Sequence, residues 1–366
     1  VTAPGRTYCA VGAISGTSMD GIDVSWVKSD GDTVAETGPG RTYAYAPDLR
    51  ARLAAAAADP DRALTNPLVD LERAVTEAHS DAVSRFIEEA GLERDRIDFI
   101  GLHGQTVCHR PEKRFTRQLC DAERAAAALG IDVVAEFRQA DVAAGGQGAP
   151  LAPLYHRALV TARPMPVVVL NWGGVGNVTY IEGDAILAFD TGPASALIDD
   201  FVARRTGSAF DSEGRLAASG AADEAIVAAL MADPFFAEAP PKSLDRNHFH
   251  ARAGSVEALS DADGAATLAA FTVAATLAAR DHFADPPREW LVAGGGRHNA
   301  FLMKSLGAGA GVPVRPVEAI GLNGDFLEAQ CFAYLAIRSH RGLPLSLPTT
   351  TGVPEPMPGG RLVRAD

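Results

Sequence analysis

Apolar runs separated by small, polar turns recur twice along the chain. Residues 8–14 are apolar with small side chains, the turn Ser15-Gly16-Thr17-Ser18-Met19-Asp20-Gly21 follows, and residues 22–27 are apolar again. That pattern predicts strand, turn and strand, with a third strand within 33–45. Residues 49–58 are rich in alanine and read as helical. Asn66-Pro67 puts a proline at a helix start. Leu68, Leu71, Val75, Ala78, Ala82 and Phe86 then recur at steps of three and four until Gly91, which predicts one buried helical stripe. A short strand over 97–102 runs into His103-Gly104-Gln105-Thr106. A helix over 121–129, a strand over 132–135 and a glycine-rich loop over 144–150 complete the first half.

The second half opens in the same way. Residues 166–170 are an apolar run, Asn171-Trp172-Gly173-Gly174-Val175-Gly176-Asn177 is a small-residue turn, and residues 178–181 are a second run. A third run over 185–189 ends on Asp190. Helical patterns follow at 195–205, 222–232 and 265–282. A strand over 289–293 meets Gly294-Gly295-Gly296, residues 299–306 are helical, and a last helix runs from Phe326 to about Arg338. The tail from Gly342 is rich in proline and threonine and is expected to wrap the surface. The repeated layout predicts a duplicated α/β fold of two lobes, 1–165 and 166–366, with a cleft between the copies and the C-terminal tail packing back on the first.

Composition narrows the choice of partners. With 366 residues, 47% of them hydrophobic, the chain can build two ordinary cores. Its net charge of -13, with no basic cluster to offset it, argues against nucleic acid as a partner. No run of about 18 apolar residues appears, so no membrane span is expected. The opening stretch VTAPGRTYCAVG lacks a charged region followed by a long apolar core, so no secretory signal is expected. Cys9, Cys108, Cys120 and Cys331 are scattered without a CxxC, which fits free thiols in a reduced cytoplasm. The histidines never form HExxH, and His103 and His109 stand six apart; a structural zinc is not expected.

Candidate chemistry falls in the turns. In AILAFDTGPASALIDD, Asp190 ends a predicted strand before Thr191-Gly192-Pro193 and a helix start near Ser195. A carboxylate there can act as a general base beside an anion-favouring helix N-terminus, or merely cap that helix. The turn SGTSMDGID offers backbone amides, hydroxyls, Asp20 and Asp23, which suits a phosphate more than a plain hairpin; it is not a Walker loop, because the lysine is missing. NWGGVGN is its counterpart, and the pair suggests two loops closing on one phosphate chain. Gly294-Gly295-Gly296 after a strand suits a ribose or base lying on backbone, or an ordinary turn. HGQTVCH brings His103, Gln105 and His109 to a strand end, where they can hold sugar hydroxyls. Arg138 and Asp141 either pair to hold a loop or meet a ligand. Glu328 opens the last helix, where an acid often only offsets the helix dipole.

The motifs SGTSMDGID, HGQTVCHRP, EFRQADVAAGGQGAPLAPLYH, NWGGVGNVT, FDTGPASALID, VAGGGRHNAFLM, GDFLEAQCFAYLA and LPTTTG follow in this order over nearly the whole chain. Together they resemble the anhydro-N-acetylmuramic acid kinase family of bacterial cell-wall recycling. The resemblance implies the duplicated actin-like ATPase (acetate and sugar kinase/Hsc70/actin) fold, ATP with Mg²⁺ as phosphoryl donor, a 1,6-anhydro amino sugar as acceptor, and a homodimer. Carried over by motif, Gly16, Thr17, Ser18, Met19, Asp20, Gly21, Ile22 and Asp23 would form the ATP-phosphate loop, joined by Gly173, Gly174 and Asn177. Asp190 would be the catalytic base. Gly294, Gly295 and Gly296 would lie by the adenosine, His103, Gln105, Arg138 and Gln147 along the sugar-side wall, and Glu328 in the active cleft. No protein ligand to a metal is implied.

A 1,6-anhydro sugar has no free O6, so its internal ether must open as the phosphoryl group moves. The expected sequence is deprotonation of a water by Asp190, attack on C1, and transfer of the γ-phosphoryl to the departing O6. An aspartate near its reference pKa of about 3.9 would be ionised for that step. The chain departs from the family pattern at three points: Ala194-Ser195 follow Gly192-Pro193 where Gly-Asn is usual, Trp172 replaces Ile, and LDRNHF from Leu244 to Phe249 replaces TGREYF. An ordinary sugar or carboxylate kinase of the same fold, and a nucleotide-dependent sensor without turnover, are the alternatives.

Overall fold

The computed structural model describes residues 5–16 and 19–365. In chain order the strands are β1 (Tyr8–Ser15), β2 (Ile22–Ser29), β3 (Val34–Tyr43), β4 (Phe99–Arg110), β5 (Phe115–Leu119), β6 (Val133–Ala135), β7 (Val167–Trp172), β8 (Val175–Glu182), β9 (Ala185–Pro193), β10 (Glu289–Ala293), β11 (Val314–Pro316) and β12 (Arg361–Val363). The chain divides into two compact units, Val1–Thr161 with Phe326–Asp366, and Ala162–Asp325.

The first unit carries a sheet of order β12-β6-β4-β1-β2-β3, with β5 paired to β4. β1 pairs antiparallel with β2, and β2 with β3, while β4 runs parallel to both β1 and β6. The second unit has order β11-β10-β7-β8-β9. Here β7 pairs antiparallel with β8, and β8 with β9, while β10 runs parallel to both β7 and β11. An antiparallel meander of three strands thus continues into two parallel strands in both units. That is the duplicated α/β topology predicted from the recurring runs.

The C-terminal segment from Phe326 groups with the first unit, whereas the sequence division gave 166–366 to the second lobe with its tail packing back on the first. The physical reason lies in the helix Leu327–His340. A Cβ at Gly12 of β1 would collide with the Ala329 carbonyl, and one at Gly101 of β4 with the Phe332 carbonyl. Two glycines on neighbouring strands therefore let the helix backbone lie directly on the sheet. Ala329, Ala333 and Ala336 on that helix are fully buried. β12 then adds antiparallel to the edge strand β6.

Two strands outrun their sequence signals. β4 continues through His103–Arg110 and pairs with β5. The Gly104 φ of +73° and the polar Gln105 interrupt the apolar pattern there, although both residues are buried. β9 extends to Pro193, so Asp190 lies within a strand rather than at its end. In the second unit Ser260 caps the helix Asp261–Ala278, accepting from the Asp263 amide at 3.1 Å. The stretch Asp261–His282 is long and apolar enough to cross a membrane by length and composition, but it is 67% buried inside the fold, which is where a core helix belongs.

Candidate active site

Asp190 owes its setting to an irregular strand pair. On β8, Asn177 is opposite Asp190 and Gly176 is opposite Gly192, so Thr191 is an extra residue on β9. Such a bulge re-aims side chains beside it. Gly192, at φ +145°, has no room for a Cβ, which would come 2.9 Å from Ala275 Cβ. The Asp190 amide donates to the Lys242 carbonyl at 3.0 Å, and Asp190 Oδ2 accepts from the Leu244 amide at 2.8 Å. Burial pushes the Asp190 carboxyl up to about 6, with the Leu244 hydrogen bond pulling the other way. This corrects the near-reference value expected from sequence: desolvation penalises the carboxylate. The group is still mostly ionised at neutral pH, and it is a better proton acceptor than an exposed aspartate.

The helix Ser195–Thr206 does not begin as a free anion site. The Ser195 amide donates to Gly173 O at 2.9 Å and the Ala196 amide to Gly174 O at 3.3 Å, while Ala194 N donates to Gly174 O at 3.0 Å. The Gly173-Gly174 turn therefore caps this helix with its carbonyls, and the donors that would attract an anion are already engaged. Asn177 is different: it flanks Asp190 on the adjacent strand. Trp172 is fully buried, and its Nε1 donates to Thr276 Oγ1 at 3.0 Å, so this departure from the family pattern is a core residue.

Trp172 also explains the triple glycine. A Cβ at Gly296 would come 2.6 Å from Trp172 Cβ, and one at Gly294, at φ +75°, 2.7 Å from the Trp172 carbonyl carbon. Gly295 has nothing within 4 Å of where its Cβ would be. It faces a cavity of about 440 Å³ whose lining includes Ile198, Asp199, Phe210, Gly295, Gly296 and Leu302. Phe210 is 60% exposed, an aromatic face presented at a concave surface. Burial pushes the Asp199 carboxyl up to about 6, a hydrogen bond from Ser195 lowers it, and Asp200 raises it.

In the first unit the glycine-bearing turn is tied down at Gly16, whose carbonyl accepts from the Met19 amide at 3.1 Å and from Gln105 Nε2 at 3.2 Å. Thr17 and Ser18 lie outside the described residues. Met19 takes φ +55° and packs on the core. Asp20 is exposed and pairs with Arg50 Nη2 at 2.7 Å. Gly21 leaves no space for a side chain, because its Cβ would come 2.8 Å from the Tyr43 carbonyl oxygen. Ile22 is a core residue, so only its backbone can face a ligand. Asp23 Oδ1 accepts from Thr42 Oγ1 at 2.6 Å.

The sugar-side candidates form one network around Arg138. Arg138 Nε donates to His103 Nε2 at 2.9 Å, and His103 Nδ1 lies 3.1 Å from Gly104 O. The guanidinium can only donate, so His103 is neutral with its proton on Nδ1. Burial, with the neighbouring Arg138 charge, holds its pKa well below the ordinary value. Arg138 Nη1 donates to Gly148 O at 2.7 Å, while Asp141 Oδ1 accepts from Gly148 N at 2.6 Å. The two charged residues grip opposite ends of one glycine rather than each other. Asp141 also accepts from Thr351 Oγ1 at 2.6 Å and from Ser346 Oγ, which fastens the LPTTTG segment beneath the loop. Gln147 is exposed, with its amide donating to Thr351 O at 2.7 Å. Gln105 Oε1 is buried with no hydrogen-bond partner. Glu328 is solvent-accessible yet crowded by protein: desolvation raises its carboxyl, the Arg138 charge lowers it, and Asp23 raises it.

Four residues here escaped the sequence reading: Asp199, Phe210, Lys242 and Leu244. Phe210 leaves a trace as a lone aromatic in the polar stretch TGSAFDSEG. Leu244 leaves none, because it acts through its backbone amide.

Comparison with known proteins adds three findings. A family model described as anhydro-N-acetylmuramic acid kinase matches residues 8–363. The anhydro-N-acetylmuramic acid kinase of Rhodospirillum rubrum is 51% identical over 353 residues, 96% of this chain and 93% of its own length; that of Acidiphilium cryptum is 51% identical over 359 residues, 97% and 98%. Among solved structures, (R)-2-hydroxyglutaryl-CoA dehydratase component A of Acidaminococcus fermentans is similar over 90% of this chain and 99% of that one, with 12% identity and a TM-score of 0.46.

Proposed function

The chain belongs to the anhydro-N-acetylmuramic acid kinase family, and from that premise we propose that Asp190 is the base that activates water to open the 1,6-anhydro ring while O6 takes the γ-phosphoryl of ATP. The activity is that of a phosphotransferase on 1,6-anhydro-N-acetylmuramic acid, with N-acetylmuramic acid 6-phosphate and ADP as products. The observation that carries the assignment of the base is a carboxylate re-aimed by a strand bulge, raised to about 6 by burial and held by one amide.

Asp190 takes one proton from water, and the remaining hydroxyl bonds to C1. The C1–O6 bond breaks, and O6 bonds to the γ-phosphorus as the bond to the β-phosphate oxygen breaks. Asp190 then returns its proton to solvent. Little covalent help is needed for the transfer itself, which depends on positioning and charge neutralisation.

Each remaining group has an assigned part. The cavity of the second unit takes the adenosine, with the base on the exposed Phe210 face and the Asp199 carboxylate accepting from ribose hydroxyls. Gly295 leaves backbone open to the nucleotide. The turn from Gly16 to Asp23 receives phosphate oxygens, and the family motif assigns the same role to Gly173, Gly174 and Asn177. His103, Arg138, Gln147 and Glu328 serve the sugar; Gln105 braces Gly16 and keeps one acceptor for a ligand or water. Among the described residues no three His, Cys, Asp or Glu side chains gather as an ion cage. Mg²⁺ would be carried on the triphosphate, where it would neutralise charge on the phosphate oxygens. A cytoplasmic homodimer completes the proposal, and light scattering after size exclusion tests the dimer.

Turnover in ¹⁸O-labelled water tests the central step. One label at the C1 hydroxyl of the product is expected. Product without label would mean transfer to a pre-existing hydroxyl, as in an ordinary sugar kinase, and would overturn the reading.

A further inference from the structure

Asp190 is tied at both ends to one short strap. Its amide donates to the Lys242 carbonyl at 3.0 Å, and its Oδ2 accepts from the Leu244 amide at 2.8 Å. The strap follows Pro240-Pro241 and belongs to no helix or strand, so no ladder of its own holds it. What anchors it is the Lys242 side chain. Nζ donates to Phe235 O at 2.8 Å and to Phe236 O at 3.2 Å, both in the 3-10 turn Pro234–Ala237. The ammonium also lies 4.6 Å from the Phe235 ring centroid and 5.7 Å from that of Phe189, the residue before Asp190. Burial lowers the Lys242 pKa and Glu238 raises it; His282 packs edge-on against Phe189 at 5.3 Å between centroids, and burial together with the Lys242 charge lowers its pKa. Asp245 and Arg246 continue the strap beyond Leu244, and Asp233, which caps the anchoring turn, pairs with His248 and Arg252.

A partly desolvated ammonium held by carbonyls and aromatic faces works as a tether, because charge-assisted hydrogen bonds are strong and directional. We propose that Lys242 is a positioning residue for the reaction: it pins the strap whose Leu244 amide orients and stabilises the Asp190 carboxylate. This rests on the reading of Asp190 as the base. It also bears on the LDRNHF departure from the family pattern. The contact at 244 is made by the backbone amide, so a change of side chain there keeps the donor, whereas position 242 needs a long cationic donor.

The test compares Lys242→Met and Lys242→Arg in the full chain, with Asp190→Asn alongside. Releasing the strap removes the amide from the carboxylate, so Lys242→Met should move the acid limb of kcat/KM upward by about half a pH unit or more and lower kcat about tenfold. The KM for ATP should stay within about twofold, because the nucleotide cavity uses other elements. Lys242→Arg should restore the limb and most of kcat. A Lys242→Met profile whose acid limb superimposes on that of the parent overturns the proposal, and so does an arginine variant no closer to the parent than methionine. If Lys242→Met loses its cooperative thermal transition, Leu244→Pro deletes the donor directly, and an unmoved limb there overturns the idea equally. Asp190→Asn with near-normal turnover would remove the base itself and the tether argument with it, a result distinct from failure of the lysine alone.

Discussion

Asn177 and Asp190 are opposite one another on adjacent strands, immediately before the point where Thr191 is left without a partner. The bulge belongs to the backbone and survives an isosteric change at Asp190. Asp190→Asn should therefore keep the fold and ATP binding while lowering kcat by about 10²–10⁴. Steady-state kinetics with saturating ATP, and calorimetric ATP titration of the same variant, read the two effects separately.

The acid limb of activity should fall near pH 6, where burial has moved the Asp190 carboxyl, not near pH 4. Below it, kcat/KM should drop about tenfold per pH unit as the base is protonated. Asp199 is also raised to about 6, and with the proposed ribose contact it would add to the profile through ATP binding. Profiles of kcat at saturating ATP isolate Asp190.

The same shift bears on stability, with a definite sign. An aspartate whose folded pKa lies above its unfolded value binds its proton more tightly in the folded state. Its penalty is absent below about pH 4, grows between pH 4 and 6, and is complete above pH 6. The full penalty is on the order of 2–3 kcal/mol. Asp190→Asn should gain stability over the parent at pH 8, and that gain should exceed the gain at pH 5 by about 1 kcal/mol. Urea unfolding at both pH values measures the difference; a gain larger at pH 5 would contradict the buried carboxylate.

Neighbouring glycines should respond differently to alanine. Gly296→Ala forces a Cβ against Trp172, which is fully buried and hydrogen-bonded and so cannot give way; a loss of about 1–3 kcal/mol is expected. Gly295→Ala meets nothing within 4 Å and should leave the thermal midpoint unchanged while raising the KM for ATP. Thermal melts and ATP kinetics of the two variants check the contrast.

Phe210 is exposed to 60%, so its loss should hardly touch stability. A base stacked on it would lose about 1–3 kcal/mol of binding, a KM for ATP raised about tenfold or more in Phe210→Ala. Phe210→Trp should restore affinity. An unchanged KM in the alanine variant would exclude the stacking role.

The inner strands β1, β2, β7 and β10 were legible because their residues are buried on both faces and form continuous apolar runs, as in β7 with Val167, Val168, Val169 and Leu170. Asp190 was legible as the acid ending such a run, but its membership of β9 was not, since Gly192 and Pro193 read as a turn. The outer half of β4 was hidden because β5 supplies pairing that no local pattern announces. The strap over Asp190 left no mark either: a main-chain donor and a lysine bonded to carbonyls are ordinary in sequence and acquire meaning only through what they touch. Arg138 and Asp141 stood out in the sequence as either a loop-holding pair or ligand contacts; they hold the loop not through each other but through Gly148, a shared partner that no local pattern announces.

The helix that closes the first sheet comes from the far end of the chain, while residues 162–325 form a unit uninterrupted in sequence. During synthesis the inserted segment can reach its final form as it emerges from the ribosome, whereas the nascent N-terminal strands must wait for Leu327–His340 to cover Gly12 and Gly101. A premature stop before that helix would thus strip the cover from the earliest-made strands and spare the later-made insertion.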